Sequence, residues 1–423
     1  MSGLDARGIR RRYLTLIALR WLPAGFLGPI IILIPVSRGL SLTELGLAFS
    51  VQGLVVLALE LPTGGLADSL GRRPVLILAS AVSLVSVAVI FVADTVAMFA
   101  LASLLQGIYR ALDSGPLEAW YVDATHAVDP TFEIERGLSA GTTVLSVAIA
   151  VGALLSGALV ALHPIESLEA LDLPILVAFG LGVVNLVAVV LLMSERRGPD
   201  GWADVGASVR AVPRTIGDGL GLLRSSGVLL AIVLVELFWS FGMVAFESLF
   251  PIRLADVLGG TDQAAAAMGP VSSVAWFAAA AGAAGITLVS RRIGVALTAA
   301  ALRLLQGLTI VAMGLVGGAI GLIASFLACY VIHGASNPMH STLLHRQVDA
   351  AHRTTVVSIN SMAGFFAFSI GLIALTALAD ATSLPVAMVL AGIACALAAP
   401  LYIPAWRAER AGVPGPDSAL VTD

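Results

Sequence analysis

The sequence predicts an all-α integral membrane protein whose twelve spanning helices fall into two six-helix halves. Three observations predict it. Of the 423 residues, 58% are hydrophobic and 12% charged, against about 25% charged in a soluble globular chain. Apolar stretches of roughly 20 residues, enough to cross ~30 Å of hydrocarbon as a helix, recur along the whole chain. The basic residues are 23 arginines with no lysine, and they gather in alternate connections between those stretches, as membrane orientation requires. A soluble enzyme of two or three domains is excluded. The lack of lysine further excludes a GxxxxGK phosphate loop and a lysine Schiff base, so the chain is not itself an ATP-driven pump of the usual phosphate-loop kind.

Taken in order and bounded by charge, Gly and Pro, the spans of the first half fall at about 13–35, 43–65, 74–93, 96–118, 139–162 and 173–193. Those of the second fall at about 226–249, 266–289, 295–315, 319–339, 355–378 and 383–405. The tail over 1–12 is basic, but the apolar run behind it is long enough to span and has no small-residue cleavage site, so no cleavable signal is expected. The one long polar stretch, 194–225, holds Arg196, Arg197, Arg210, Arg214 and Arg224 and reads as a cytoplasmic linker between a 13–193 bundle and a 226–405 bundle; 406–423 is a second tail. With the N-terminus in the cytoplasm, 18 arginines lie inside, Arg38 and Arg253 outside, and Arg20, Arg110 and Arg303 within spans. That asymmetry places both termini on the cytoplasmic side of the cell membrane. Cys329 and Cys395 sit in apolar runs as packing residues, and no disulfide, metal site or cofactor is expected.

The halves correspond internally. The turn after the second span contains Gly71-Arg72-Arg73, and the turn after the eighth contains Arg291-Arg292-Ile293-Gly294, so both place paired arginines and a glycine at the same membrane face. Two parallel six-span repeats joined by a basic linker suit a secondary transporter. Gly65, Asp68, Gly71, Arg72 and Arg73 form a G-x-x-D-x-x-G-R-R pattern between the second and third spans, and this resembles the signature loop of the major facilitator superfamily. The resemblance extends over the whole twelve-span layout and implies the major facilitator fold, alternating access, and a loop that latches the halves. It implies Asp68 meeting the start of the eleventh span near Thr354, and Arg72 reaching Asp123. Glu60-Leu61-Pro62-Thr63 and Ser114 to Ala119 resemble bacterial drug:proton antiporter branches. Two further patterns of those exporters are incomplete. R-x-x-Q-G-x-G aligns with Ser103 to Tyr109, keeping Gln106 and Gly107 but placing Ser103 where the Arg belongs, and G-P-x-x-G-G aligns with Gly152 to Gly157 without its Pro and one Gly.

An ionisable side chain inside a span is costly and is by default a functional candidate. At 1.5 Å per residue, Arg20, Glu60, Arg110 and Asp113 all lie roughly 7–12 Å from the cytoplasmic ends of the first, second and fourth spans. Gln106, Arg110 and Asp113 share a helical face, so a balanced cluster of Arg20 and Arg110 with Glu60 and Asp113 is expected. Glu236 lies near mid-membrane in the seventh span. Glu247, eleven residues on, returns to the same face, with Ser240 and Met243 between them. Glu236, Asp113, Glu60 and His333 are the proton-coupling candidates. Arg20, Arg110, Gln106, Trp239, Met243, Glu247 and Asn337 are candidates for the substrate cavity, which by the resemblance is lined by spans 1, 4, 7 and 10. Trp21, Trp239, Phe238, Phe241 and Phe246 border the charges and suit an amphipathic organic ligand.

The expected function is export of a small organic or amphipathic compound in exchange for protons, by a monomer in the bilayer without nucleic-acid partners. Proton-coupled uptake of a nutrient such as a sugar or organic acid remains open because the exporter patterns are incomplete. A non-transporting membrane enzyme or receptor would need a catalytic constellation in the loops, yet most are short, and His340, His345 and His352 lack metal-ligand company.

Overall fold

The computed structural model describes residues 5–195, 217, 219–349 and 352–411, and every regular element among them is helical. The first half contains α1 (Ala6–Leu27), the short α2 (Leu33–Ser37), α3 (Leu42–Leu70), α4 (Arg72–Val92), α5 (Val96–Asp113), α6 (Pro116–His126), α7 (Ile134–Leu162) and α8 (Asp172–Leu192). The second contains α9 (Gly227–Val244), which runs through a π turn (Ala245–Leu249) into α10 (Phe250–Leu258), then α11 (Thr261–Ile293), α12 (Val295–Leu315), α13 (Ala319–His345), α14 (Arg353–Ala381), α15 (Leu384–Leu397) and α16 (Ile403–Arg410). Among the described residues, eleven segments are long and apolar enough to cross a membrane. The twelfth span is α1, 22 residues long and carrying Arg7, Arg10, Arg11, Arg12 and Arg20.

Local chemistry sets the ends. Asp5, Thr95, Ser226 and Ser383 cap α1, α5, α9 and α15 by accepting a backbone N–H two or three residues into the helix. The fourth span is broken at Ser114-Gly115, where Gly115 takes φ +93° and Pro116 starts α6. Pro338 does not end the tenth span: α13 continues through it to His345. Prolines inside membrane helices are tolerated where neighbouring helices and Ser or Thr side chains satisfy the backbone.

Two compact units emerge, one built from Met1–Arg38, Ala58–Ala211 and Thr261–Ser273, the other from Gly39–Leu57, Val212–Gly260 and Val274–Asp423. Inside the first, α1 packs on α7 and α8, and α4 on α5 and α8. Inside the second, α9 packs on α14 and α15, and α12 on α13 and α15. Each pair of the second unit is the first unit's pair moved on by six spans, the pseudo-symmetric repeat of the fold class. Residues 42–57 of α3 belong to the second unit, where the Asp380 carboxylate accepts from Thr43 N (2.7 Å) and Thr43 Oγ1 (2.6 Å) at the start of that helix. The incomplete fifth-span glycine pattern has a packing use in the first unit. A Cβ on Gly152 would come 2.7 Å from Leu22 O and 2.9 Å from Gly25 Cα, and one on Gly157 would come 2.8 Å from Gly269 Cα. The helices meet there backbone to backbone, as small residues permit.

Candidate functional site

In the first unit the fourth span ends α5 on Asp113, and α1 passes beside it. Arg20 forms an ion pair with the Asp113 carboxylate and donates through Nη2 to the Asp113 backbone carbonyl at 3.0 Å. The two side chains are only 12% and 7% exposed, which makes this a buried pair with both charges compensated. Arg20 also lies over the Trp21 ring, 5.3 Å from its centroid, and Tyr109 stands beside both partners. Arg110, expected in the same cluster, is exposed on α5, while Glu60 is half-buried on α3 and Gln106 half-buried on α5.

In the second unit the polar groups form a chain that crosses five helical segments. Glu236 on α9 accepts from Ser240 Oγ (2.9 Å) one turn on and from Asn360 Nδ2 of α14 (3.2 Å). His340 Nε2 of α13 stands 3.5 Å from the same carboxylate and 3.2 Å from Asn360 Oδ1, and its Nδ1 is 2.8 Å from the Tyr402 hydroxyl. Arg303 on α12 is 1% exposed. Its Nη1 donates to Gln306 Oε1 at 2.8 Å, and its guanidinium lies 3.8 Å from the centroid of the Trp239 ring. It is near enough to act electrostatically on Glu236, His333, His340 and Tyr402. Gln306 Nε2 reaches His333 Nδ1 at 3.4 Å, so His333 joins the chain through an amide rather than by contact with the carboxylate.

Further along the seventh span, Glu247 is exposed and accepts from the Tyr330 hydroxyl of α13 at 2.9 Å. It lies in the π turn that precedes Pro251. A proline there has no N–H for the Glu247 carbonyl and crowds the preceding turn, a sufficient cause for the wider loop, in which Phe250 N bonds Ala245 O. Such turns recur at functional sites. Phe246, Tyr330, His333 and Trp239 form a continuous ring wall, with neighbouring centroids 5.3–6.0 Å apart. Met243 is half-buried, and Asn337 is exposed.

The signature turn has its own geometry. Gly71 takes φ +89°, which favours glycine, and starts α4. Arg72 forms an ion pair with Asp123 and donates to Ala119 O (3.1 Å). The Glu195 carboxylate, just past α8, accepts both Arg72 N and Arg73 N at 3.0 Å, the stabilising place for an anion at a helix start. The repeat does the same in the second unit, where Gly294 takes φ +87° and Glu409 accepts from Ala296 N (3.1 Å) and from Arg346 Nη1 (2.7 Å). Gly65 and Asp68 fall within α3; the side chains of Asp68 and Thr354 lie outside the described residues.

Sequence reasoning did not assign Asn360, Tyr402, Tyr330, Glu195 or Glu409. A signal for the last two was available, since each is an acid just beyond the sixth or the twelfth span. Asn360 and Tyr402 offered only isolated polar groups in apolar runs.

The fold is shared with transporters of known structure. Nucleoside transporter NupG superposes with a TM-score of 0.76 at 11% identity, covering 94% of this chain and 98% of its own. A bacterial homolog of the human lysosomal transporter Spinster, in an inward-facing and occupied conformation, gives 0.75 at 15% identity over 96% and 98%. A POT family transporter in complex with 5-aminolevulinic acid gives 0.70 at 16% identity over 95% and 96%. No curated protein sequence matches this chain significantly. The sequence pattern of the superfamily matches residues 14–334. With that match, the signature turn and the six-plus-six repeat, the chain belongs to the Major Facilitator Superfamily and is a multi-pass membrane transporter rather than an enzyme.

Proposed function

We propose that the protein is a proton-coupled antiporter that exports a small organic or amphipathic compound. It sits in the cell membrane with both termini cytoplasmic, works as a monomer, and alternates access by moving a 13–193 bundle against a 226–405 bundle about the linker. The observation that carries the reading is Glu236. Its carboxylate is buried inside a spanning bundle, bonded to Ser240 and Asn360, beside His340 and in the field of Arg303. Asn360, His340 and Arg303 lie on three other helices, α14, α13 and α12, so alternating access that moves those helices would exchange the partners of Glu236. The Arg20–Asp113 pair is a second place where one proton would break an ion pair and free a helix contact.

The test separates coupling from folding. Everted vesicles acidified inside are assayed for substrate-dependent proton release across a compound panel, alongside substrate counterflow, which needs no net proton movement. Glu236→Gln should keep counterflow and lose transport driven by the pH gradient. Intact gradient-driven transport in that variant refutes the assignment. Proton movement coupled to nutrients, with no response to drug-like compounds, establishes the symporter reading, which the Ser103 departure leaves open.

A further inference from the structure

Glu247 contrasts with four other acids of the helices. Asp113 faces Arg20, Asp172 faces Arg38 at 3.0 Å, Asp256 faces Arg253 at 3.9 Å, and Glu236 lies in the field of Arg303. For Glu247, the described residues supply one hydrogen-bond donor, the Tyr330 hydroxyl on Oε1, and no ion pair. Oε2 takes no hydrogen bond among them.

Glu247 is also deep in its span. The α9–α10 segment runs 32 residues, Gly227–Leu258, about 48 Å at 1.5 Å per residue, and Glu247 lies about 16 Å from its far end. A centred hydrocarbon slab of ~30 Å therefore contains it. A carboxylate at that depth with no internal cation is costly, and the cost is met when a cation arrives from outside.

The surroundings decide which cation. Tyr330 carries the carboxylate on its hydroxyl, and its half-buried ring meets Phe246 edge-on at 5.7 Å and Phe326 at 4.7 Å. The same wall already holds one cation on a ring face, Arg303 over Trp239 at 3.8 Å. Ring faces within about 6 Å of a weakly hydrated cation attract it, whereas a bare metal ion needs several oxygen, nitrogen or sulfur ligands. No group of three or more His, Cys, Asp or Glu able to hold one occurs among the described residues.

We propose that Glu247 and Tyr330, backed by Phe246 and Phe326, form a subsite for the charged centre of an organic cation with apolar or aromatic substituents. The carboxylate oxygen that Tyr330 leaves open takes the charge, and the half-buried Tyr330 ring takes the substituents, with the buried Phe246 and Phe326 packed behind it. Tyr330 is the positioning residue, fixing the rotamer of Glu247 across the π turn. The proposal rests on the transporter reading above and names the class of compound that reaches this wall.

The test uses the full chain in lipid nanodiscs and two probes of one shape and opposite charge, tetraphenylphosphonium and tetraphenylborate. Saturable binding of the phosphonium and none of the borate is expected. Glu247→Gln should weaken phosphonium binding about tenfold, the scale of one desolvated charge contact. Its thermal midpoint should stay unchanged, because the amide oxygen still accepts from Tyr330. Glu247→Asp, which keeps the charge but shortens its reach, should fall between the two, and Tyr330→Phe should weaken binding by roughly threefold while Glu247 remains. Equal phosphonium affinity in the parent and Glu247→Gln overturns the proposal. So does equal binding of the borate, or no saturable phosphonium binding above empty nanodiscs. Should Glu247→Gln not fold, an affinity unchanged in Glu247→Asp serves the same purpose. Proton-coupled transport of a neutral compound by a protein that does not bind the phosphonium removes the subsite alone. Glu247-dependent binding without coupled proton movement removes the antiport reading alone.

Discussion

Replacing Asp113 with leucine leaves the Arg20 guanidinium in place with its counter-charge gone. The side chains are 12% and 7% exposed, so water cannot substitute for the lost carboxylate, and the neutral acceptors that remain are the backbone carbonyl at residue 113, at 3.0 Å, and the Tyr109 hydroxyl. Removing one partner of such a pair costs about 3–5 kcal/mol, while replacing both with apolar groups of similar volume is close to neutral. Asp113→Leu should therefore lose about 3 kcal/mol or more, and the double variant Arg20→Met/Asp113→Leu should return to within about 1 kcal/mol of the parent, a coupling of roughly 2–4 kcal/mol across the cycle. The assay is unfolding of the purified protein by titration with sodium dodecyl sulfate in mixed micelles, following tryptophan fluorescence. Parent-like stability in Asp113→Leu, or simple additivity in the double variant, refutes the argument. Transport by the stable double variant then divides the roles: a pair that only braces α1 against α5 leaves it active, and a pair that breaks during the cycle leaves it folded and inactive.

Four further outcomes follow from contacts elsewhere. Arg303→Leu removes a buried guanidinium held by Gln306 (2.8 Å) and the Trp239 ring (3.8 Å) and should destabilise by about 1–3 kcal/mol in the same titration. A Cβ on Gly282 would come 1.9 Å from Val331 O, and one on Gly334 2.0 Å from Ala279 O, so either alanine should cost about 1–3 kcal/mol by forcing α11 and α13 apart, read as a lower thermal midpoint in nanodiscs. Glu195→Ala uncovers Arg72 N and Arg73 N at the start of α4 and should cost about 1 kcal/mol, an effect that shrinks in high salt and that Glu409→Ala should reproduce in the second unit. In the loop between α6 and α7, the Thr131 hydroxyl (2.7 Å) and amide (3.0 Å) hold the Asp129 carboxyl below its ordinary range. Its contribution is therefore present above the unfolded value of about 3.9 and is lost as pH falls through the folded one. Thr131→Val should move the carbon-13 carboxyl titration of Asp129 upward toward 3.9, and an unmoved titration would refute the assignment.

What the sequence made legible follows from which forces act locally. Span positions, the repeat and the signature turn depend on runs of apolar residues, on glycines at positive φ and on arginine placement, all of which act within about 20 residues. The family resemblance implied Arg72 reaching Asp123, and the two side chains form an ion pair. The candidate site is different because its partners come from separate spans. Arg20, Arg110, Glu60 and Asp113 share a depth, but depth fixes one coordinate of three, and helix rotation turns Arg110 to an exposed face while it carries Arg20 to Asp113. Glu236 and Arg303 stand 67 positions apart on helices whose rotation is fixed by packing, and the amide at Asn360 that completes the Glu236 shell lies 124 positions away. The same reasoning separates the two seventh-span acids that one helical face made look equivalent. Glu236 is enclosed by α13 and α14, whereas Glu247, within the π turn, is exposed on the helix with one hydroxyl for company. A charge that the fold surrounds with partners is poised to respond to helix movement, and a charge that it leaves open is poised to meet a ligand. The proposed coupling at Glu236 and the proposed recognition at Glu247 are thus separable, and the proton and binding assays should lose them independently.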